Sequence, residues 1–366
     1  MTKLSIRVID IDGHVREADD LWQRYLEPPF RSRAPKIEKV ANGQLLFRLE
    51  GDRHHRKPDE SPFRIKDDGS PVNEHRDLAT DPRARLKDMD RDAIERGMLF
   101  PSAGLYLPSV EDEAYAAALC RAYNNWLYDY CGADRKRLMG VGVIPVQDMR
   151  AAVDETRRVI RDLKFKAIFV RPNPVQGRML DDPYYDPLYK TVQELGVPLM
   201  VHEGSGAYLP TAGADRFAGQ WFFTHMISHP FEQMLASLSL ICKGTLERHP
   251  DLSVVFLESG AAWLPYWLWR MDEHYEILPF QVPWLKMKPS DYFRRQCYVS
   301  CEPDEDHLSD AVNAIGAERV LFASDYPHWD AKLSGSPEMI INRKDLSLEV
   351  KKKIMGENAA RLLRLD

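Results

Sequence analysis

The sequence predicts a single (β/α)8 barrel, the TIM-barrel fold, over residues 1–366. Eight short apolar segments alternate with helical patterns along the chain, an order that is typical of this barrel. Most of these segments are rich in Val, Ile, Leu and Phe, as expected for parallel strands that are covered on both faces. A doubly wound open sheet is the alternative, but no glycine-rich phosphate loop follows the first segment.

The predicted strands and helices follow one another in chain order. The strands are Ser5–Ile11, Gly97–Pro101, Met139–Ile144, Ala167–Arg171, Pro198–His202, Ser253–Glu258, Cys297–Cys301 and Val320–Asp325. The helices are Pro82–Arg96, Glu111–Cys131, Met149–Leu163, Pro187–Leu195, Phe231–Arg248, Trp263–Tyr275, Asp304–Ile315 and Leu348–Leu363. The first helix has the clearest start, because Asp81 can cap it and Pro82 suits its first position.

An insertion of about residues 15–80 separates the first strand from the first barrel helix, and it is too long for an ordinary connection. Within it, Lys36–Val40 and Gln44–Leu49 flank Ala41-Asn42-Gly43, and Asn-Gly is the favoured two-residue turn of a β-hairpin. The polar segment Arg53–Asp68 is predicted to be a loop beside the barrel mouth. The insertion could serve as a lid or as a dimer contact.

Composition and charge exclude several classes of function. The net charge is −6 and no basic cluster is present, so nucleic acid is not an expected partner. No run of about 18 apolar residues could span a membrane, and the first residues lack the apolar core of a secretion signal. The five cysteines form no Cys-x-x-Cys pair, which favours reduced thiols in the cytoplasm. We therefore expect a cytoplasmic protein that acts on a small molecule.

The first strand carries the most informative motif, Asp10-Ile11-Asp12-Gly13-His14. Because side chains alternate along a strand, Asp10, Asp12 and His14 would project from one face. Carboxylate oxygens and imidazole nitrogens both bind divalent cations, and without a cation the neighbouring carboxylates would repel each other. The motif predicts half of a metal site; a solvated acidic face on an edge strand is the alternative.

Polar residues also follow four of the later apolar segments. They are Arg171 after the fourth strand, His202 after the fifth, Glu258 after the sixth, and Asp325 and His328 after the eighth. Taken alone, each has a structural explanation, such as an ion pair, a helix cap or a buried core histidine. Together they lie where a barrel of this kind places its chemistry, at the carboxyl ends of the strands.

These motifs resemble the amidohydrolase superfamily, in particular the amidohydrolase-related branch that includes aminocarboxymuconate-semialdehyde decarboxylase. That branch opens with a His-x-His strand, has a histidine ending strand five, and has an aspartate in a (T/S)-D-Y-P sequence ending strand eight. The corresponding segments here are Asp12-Gly13-His14, Val201-His202 and Ser324-Asp325-Tyr326-Pro327. His229-Pro230-Phe231-Glu232 and Gly356-Glu357-Asn358-Ala359-Ala360-Arg361-Leu362 also match the branch. The resemblance implies metal ligation by Asp12, His14, His202 and Asp325, with Asp325 able to move a proton.

Two departures from the branch affect the expected chemistry. Asp12 replaces the first histidine of His-x-His, and this more oxygen-rich set accepts Mn²⁺ or Fe²⁺ as well as Zn²⁺. Glu258-Ser259-Gly260 replaces the His-Gly-Gly of the well-known decarboxylases, so Glu258 could bind a second cation or act as a general base. With Asp10, His229 and His328 as further candidates, the ligand surplus resembles a subgroup with two-metal centres.

We therefore expect a metal-dependent hydrolase that acts on a small organic acid or aromatic derivative. One or two divalent cations would be bound, with zinc favoured over manganese or iron, and bound water would have a pKa of roughly 7. Glu258 or Asp325 would accept the proton of this water, His229 is a further catalytic candidate, and Arg171 could anchor a substrate carboxylate. The alternatives are a non-oxidative decarboxylase of an aromatic or unsaturated acid, a Mn/Fe oxygenase, and a non-catalytic subunit that supports an active paralogue.

The resemblance also implies a homodimer, or an assembly with a paralogue. Ile37–Asp68 and a second long connection, Gly204–Pro230, could build an interface of more than about 1,000 Å². Gly204–Pro230 could also form a wall of the substrate pocket.

Overall fold

A computed structural model describes residues 6–39, 45–51, 53–56, 79–204, 206, 208–217, 220–328, 331–332 and 334–366. The described strands are β1 (Ile9–His14), β2 (Lys36–Lys39), β3 (Leu45–Glu50), β4 (Arg53–Arg56), β5 (Arg96–Phe100), β6 (Leu138–Val143), β7 (Ala167–Val170), β8 (Leu199–Val201), β9 (Val254–Phe256), β10 (Cys297–Cys301) and β11 (Val320–Phe322).

The described α-helices lie mainly between these strands. They are α1 (Leu21–Tyr25), α2 (Pro82–Arg91), α3 (Glu113–Cys131), α4 (Met149–Arg161), α5 (Asp186–Leu195), α6 (Ala214–Phe217), α7 (Trp221–Cys242), α8 (Thr245–Arg248), α9 (Leu264–Ile277), α10 (Pro289–Gln296), α11 (Leu308–Ile315), α12 (Ser336–Asn342), α13 (Leu348–Lys352) and α14 (Asn358–Leu362). The cap predicted for the first barrel helix is confirmed, because the Asp81 side chain accepts a hydrogen bond from the Arg83 amide at 2.9 Å.

Eight of the strands form one parallel sheet in the order β1-β5-β6-β7-β8-β9-β10-β11. The sheet curls into a nearly closed barrel, in which the amide of His14 donates to the Tyr326 carbonyl at 2.7 Å and the amide of Asp325 donates to the Asp12 carbonyl at 2.9 Å. The predicted fold class is therefore confirmed. The first strand is the one whose bounds differ most from the prediction, since it runs on to His14 and is buried along its whole length.

Close packing between helices and strands depends on glycine in β6. A side-chain carbon at Gly140 would lie 2.6 Å from the Phe165 ring, and one at Gly142 would lie 2.7 Å from the Val159 side chain. Both contacts are shorter than van der Waals packing permits. Glycine at these positions lets helix α4 and the turn after it lie directly against the barrel wall.

The described part of the insertion includes a small three-stranded antiparallel sheet, β2-β3-β4. Strands β2 and β3 pair as predicted, with Lys36 opposite Arg48, while the Ala41-Asn42-Gly43 turn lies outside the described residues. The predicted loop at Arg53–Asp68 was wrong at its start, because β4 pairs with β3; residues 57–78 are not described. Backbone hydrogen bonds stabilise such an edge strand even where its side chains are polar.

The small sheet formed by β2, β3 and β4 packs against the segment that follows β5. The Phe47 ring lies 6.1 Å from the Tyr106 ring. Glu50 accepts hydrogen bonds from the amides of Glu111 and Asp112 at 2.8 and 3.1 Å. These contacts anchor the insertion near the carboxyl ends of the barrel strands, as expected from the sequence.

Helix α7 begins earlier than predicted and occupies part of the second long connection. Proline usually ends or kinks a helix because it lacks an amide hydrogen, which is why the sequence predicts a start after Pro230. The structure instead continues the helix through this proline. Among the described residues, no helix is both long enough and apolar enough to cross a membrane. The expected homodimer stays a prediction.

Candidate metal centre

Titratable side chains from four parts of the barrel converge at the carboxyl ends of its strands. They are Asp12 and His14 on β1, His202 after β8, Glu258 after β9, and Asp325 and His328 after β11. One ligand atom each from Asp12, His14 and His202 lies within 4.8 Å of the others, and the same holds for His14, Asp325 and His328. The convergence expected from the sequence is therefore present.

The two histidines at the centre of this cluster face each other through their Nε2 atoms, which are 3.1 Å apart. The Nδ1 atom of His14 lies 2.7 Å from the Pro101 carbonyl, and that of His202 lies 2.5 Å from the Glu203 carbonyl. Because a carbonyl oxygen only accepts, each Nδ1 must donate, and a neutral ring then has a lone pair on Nε2. Two such lone pairs repel unless a metal cation or a proton lies between them. Histidine ligands of metals are commonly fixed in this way.

Asp12 is a buried carboxylate with an incomplete set of partners. Its Oδ1 atom lies 3.4 Å from His202 Nε2 and 3.6 Å from His14 Nε2. Neither of its oxygens accepts a hydrogen bond of ordinary length from the described residues. Burial raises the pKa of Asp12. An uncompensated buried carboxylate is costly, and the mixed oxygen and nitrogen donors around it suit a divalent cation.

The histidine pKa values reflect this arrangement. Burial, followed by the nearby His328 and His202, lowers the pKa of His14 well below its ordinary value. Burial also lowers the pKa of His202, but the charges of Asp12 and Glu258 outweigh it and raise that pKa. His14 is thus held in the neutral form that binds metals.

Glu258 and Asp325 both adopt a left-handed backbone conformation at the ends of their strands. Their φ angles are +51° and +52°, a region that costs a non-glycine residue on the order of 1 kcal/mol. In this conformation Asp325 Oδ1 lies 3.4 Å from His14 Nε2 and 2.9 Å from His328 Nδ1. Glu258 Oε2 lies 3.4 Å from His202 Nε2. Strained backbone of this kind is concentrated at functional sites.

Glu258 does not cap the helix that follows it. The amides of Ala261 and Ala262, which precede α9, donate to Oε1 of Glu305 at 2.8 and 2.6 Å. The Glu258 carboxylate faces the histidine cluster instead, with Oε1 3.5 Å from His328 Nδ1. The geometry therefore favours a chemical role for Glu258 over the structural one.

Asp10 does not join the cluster, which departs from the expectation for the first strand. A register shift between Asp10 and Gly13 interrupts the pairing of β1 with β5. The Asp10 carboxylate accepts hydrogen bonds from the Ser324 hydroxyl at 2.6 Å, the Ser324 amide at 3.0 Å and the Asp12 amide at 3.2 Å. These bonds hold β1 against the segment after β11, so Asp10 closes the barrel rather than offering a free ligand.

Replacing Asp10 with alanine is expected to destabilise the fold without removing its metal ligands. The substitution leaves the buried amide and hydroxyl of Ser324 without an acceptor, which costs about 1–3 kcal/mol. Urea unfolding should show this loss of free energy, while metal content per folded molecule stays at the wild-type value. Asp10→Asn keeps one acceptor oxygen and serves as the matched control. Unchanged stability in Asp10→Ala would contradict the barrel-closing role.

Arg171 is also placed differently from expectation. The residue is 1% exposed, and its guanidinium donates to Glu203 Oε1 at 2.8 Å, Asn173 Oδ1 at 2.9 Å and the Leu105 carbonyl at 2.8 Å. With these donors engaged, the geometry favours a structural ion pair over a substrate anchor. Although burial raises the pKa of Glu203, the charges of Arg171 and His229 outweigh burial and lower it. Sequence reasoning missed Glu203, although it directly follows His202.

His229 lies on α7 and forms a second group with Glu258 and His225. Its Nε2 atom is 3.6 Å from Glu258 Oε2 and 3.8 Å from Glu203 Oε2. One ligand atom each from His225, His229 and Glu258 lies within 4.8 Å of the others. Sequence reasoning missed His225 as a ligand; its spacing of four residues from His229 was the available signal.

The sequence matches a known protein family and is similar to curated decarboxylases. A family model described as Amidohydrolase matches residues 9–365. The 2-amino-3-carboxymuconate-6-semialdehyde decarboxylase of Dictyostelium discoideum is 27% identical over 78% of this chain and 77% of its own length. The gamma-resorcylate decarboxylase of Rhizobium sp. (strain MTP-10005) is 28% identical over 77% of this chain and 86% of its own length.

Solved structures share the fold over nearly the whole chain. An amidohydrolase from Mycobacterium avium subsp. paratuberculosis K-10 is 25% identical with a TM-score of 0.81, covering 98% of this chain and 100% of its own. A dihydroxybenzoic acid decarboxylase from Polaromonas sp. JS666, with bound manganese and the inhibitor 2-nitroresorcinol, is 22% identical with a TM-score of 0.73. That likeness covers 99% of this chain and 98% of the other.

Proposed function

We propose a metal-dependent, non-oxidative decarboxylase activity for this chain, which belongs to the amidohydrolase family. Curated relatives that cover more than three quarters of the chain are decarboxylases of unsaturated or aromatic acids. They support the decarboxylase alternative better than the hydrolase that we expected first from the sequence. The observation that carries the proposal is the pair of histidine Nε2 atoms 3.1 Å apart, with the Asp12 carboxylate beside them, an arrangement that a divalent cation would stabilise.

The cation would be held by Asp12, His14, His202 and Asp325. These residues supply two imidazole nitrogens and two carboxylates, a set that fits Mn²⁺ or Zn²⁺. When bound, a divalent cation acts as a Lewis acid toward the substrate carboxylate and a neighbouring oxygen. The carbonyls of Pro101 and Glu203 keep both imidazoles oriented, since each accepts from an Nδ1 atom.

The proton for the reaction would come from the pair formed by Asp325 and His328. His328 Nδ1 lies 2.9 Å from Asp325 Oδ1, so the two groups can share one proton. The His328 ring stacks on the His14 ring with centroids 3.9 Å apart, and its side chain is 24% exposed. In the reaction the bond between the ring carbon and the carboxylate breaks, CO2 leaves, and the electron pair takes up this proton. Solvent then restores the proton to the pair.

The proposal is tested by CO2 release from a panel of dihydroxybenzoic acids and other hydroxylated aromatic acids. Purified protein is stripped with a chelator and reconstituted with Mn²⁺ or Zn²⁺, and ¹³CO2 is measured from carboxyl-labelled substrates. We expect release from at least one acid that carries a hydroxyl beside the carboxylate, and none from the stripped protein. Release that is equally fast without metal, or no release from any acid of the panel, would contradict the proposal.

A hydrolase is the second candidate, and the position of Glu258 favours it. The carboxylate faces His202 and His229 at 3.4 and 3.6 Å, where it could accept a proton from a water molecule. Assays with aryl esters and amides under the same conditions separate the two functions. Ester or amide turnover without CO2 release would favour the hydrolase.

A further inference from the structure

We infer that His225, His229 and Glu258 bind a second divalent cation beside the first. The three residues come from helix α7 and from the end of β9, and one ligand atom of each lies within 4.8 Å of the others. The proposed decarboxylase needs only the cation held by Asp12, His14, His202 and Asp325. A second cation therefore goes beyond that function.

Helix α7 places His225 and His229 where both could bind the same cation. Residues four apart on an α-helix lie on one face, and the same spacing serves helical zinc motifs with two histidines. The rings of His225 and His229 are 4.3 Å apart between centroids. His229 is buried and His225 is half-buried, so this group has one side toward solvent from which a cation could enter.

The orientation of His229 leaves a nitrogen for ligation. Its Nδ1 atom lies 3.0 Å from the Ser228 hydroxyl and 3.2 Å from the His225 carbonyl. When Nδ1 donates to this carbonyl, which can only accept, the neutral ring has its lone pair on Nε2. That lone pair faces oxygens of Glu258 and Glu203, at 3.6 and 3.8 Å. Such an arrangement requires either a metal ion or a proton on Nε2. The proton is the rival explanation.

Glu258 is the carboxylate that remains available to a cation. Glu203 already accepts hydrogen bonds from Arg171 and from the amides of Gly204 and Gly206. Glu258 Oε2 accepts no hydrogen bond of ordinary length from the described residues. This Oε2 atom lies between the two proposed cation sites. It is 3.4 Å from Nε2 of His202, a ligand of the first cation, and 3.6 Å from Nε2 of His229, a ligand of the second. Bond lengths of about 2.0–2.3 Å place neighbouring ligand atoms at roughly this spacing.

The inference is tested by counting Mn²⁺ in the full-length protein. Chelator-stripped wild-type protein, reconstituted with Mn²⁺ and desalted, is expected to hold two equivalents by elemental analysis. Electron paramagnetic resonance should show a spin-coupled manganese pair. His225→Ala should hold one equivalent and give the signal of isolated Mn²⁺. His274→Ala removes an exposed histidine of α9 and should keep two equivalents and the coupled signal.

Several results would overturn the second site. One equivalent in the wild-type protein, or an unchanged count and coupled signal in a folded His225→Ala variant, would assign the proton rather than a metal to His229. Circular dichroism establishes that the variant is folded; if it is not, the wild-type count and spin coupling decide the question. One equivalent together with CO2 release would overturn this inference and leave the proposed function intact. Two equivalents without CO2 release would support the second cation site and contradict the proposed decarboxylase activity.

Discussion

Replacing His202 with alanine is expected to abolish metal binding at the Asp12–His14 cluster and to reduce CO2 release by more than about 100-fold. Loss of residues that only orient a ligand already costs about 10–100-fold, and His202 is placed as a ligand itself. Its Nε2 atom is within 3.4 Å of Asp12, His14 and Glu258. Metal content by elemental analysis and the rate of ¹³CO2 release provide the measurement.

The control for this substitution is His307→Ala, which removes an exposed histidine before α11. It should retain the metal content and the rate of the wild-type protein. Circular dichroism should show that His202→Ala keeps the barrel, because the hydrogen bonds between strands do not involve this side chain. A folded His202→Ala protein with its metal and its rate unchanged would show that the cluster is not the active site.

Replacing Glu258 with glutamine is expected to remove one equivalent of Mn²⁺, and to lower kcat by about 10²-fold or more for ester or amide hydrolysis, in which Glu258 would be the base. Glutamine keeps the shape of the side chain but loses the charge that faces His202, His229 and His328. The free energy of unfolding should change little, because Glu305 and not Glu258 accepts the amides before α9.

The matched control is Glu305→Ala, which removes that cap. It is expected to lower the free energy of unfolding by about 1 kcal/mol and to retain the metal content. The two variants thus distinguish the stabilising role expected for Glu305 from the metal-binding or catalytic role expected for Glu258. Near wild-type turnover and full metal content in Glu258→Gln would reduce Glu258 to a structural residue.

The barrel could be predicted because each strand is a local feature of the sequence. Short runs such as Val254–Phe256 are apolar over their whole length and are covered on both faces. Since such strands align in parallel, the residues that follow them meet at one end of the barrel. His202 and Asp325 follow two such strands and His14 ends the first strand, so their positions were sufficient to predict that they lie close together.

The errors arose where a side chain depends on a partner that is distant in sequence. Alternation along β1 put Asp10 with Asp12, but a register shift and the bonds with Ser324 engage its carboxylate elsewhere. Arg171 was expected to bind substrate because nothing in the sequence pairs it with Glu203. His225 was not predicted as a ligand, because it was assigned to the connection Gly204–Pro230 and not to the helix that carries it.

The central claim, that Asp12, His14, His202 and Asp325 hold a divalent cation, is tested most directly by anomalous diffraction from crystals grown with Mn²⁺. A peak is predicted about 2.0–2.6 Å from Nε2 of His14, Nε2 of His202 and a carboxylate oxygen of Asp325. A map without a peak among these atoms, from crystals of protein that releases CO2, would contradict the account.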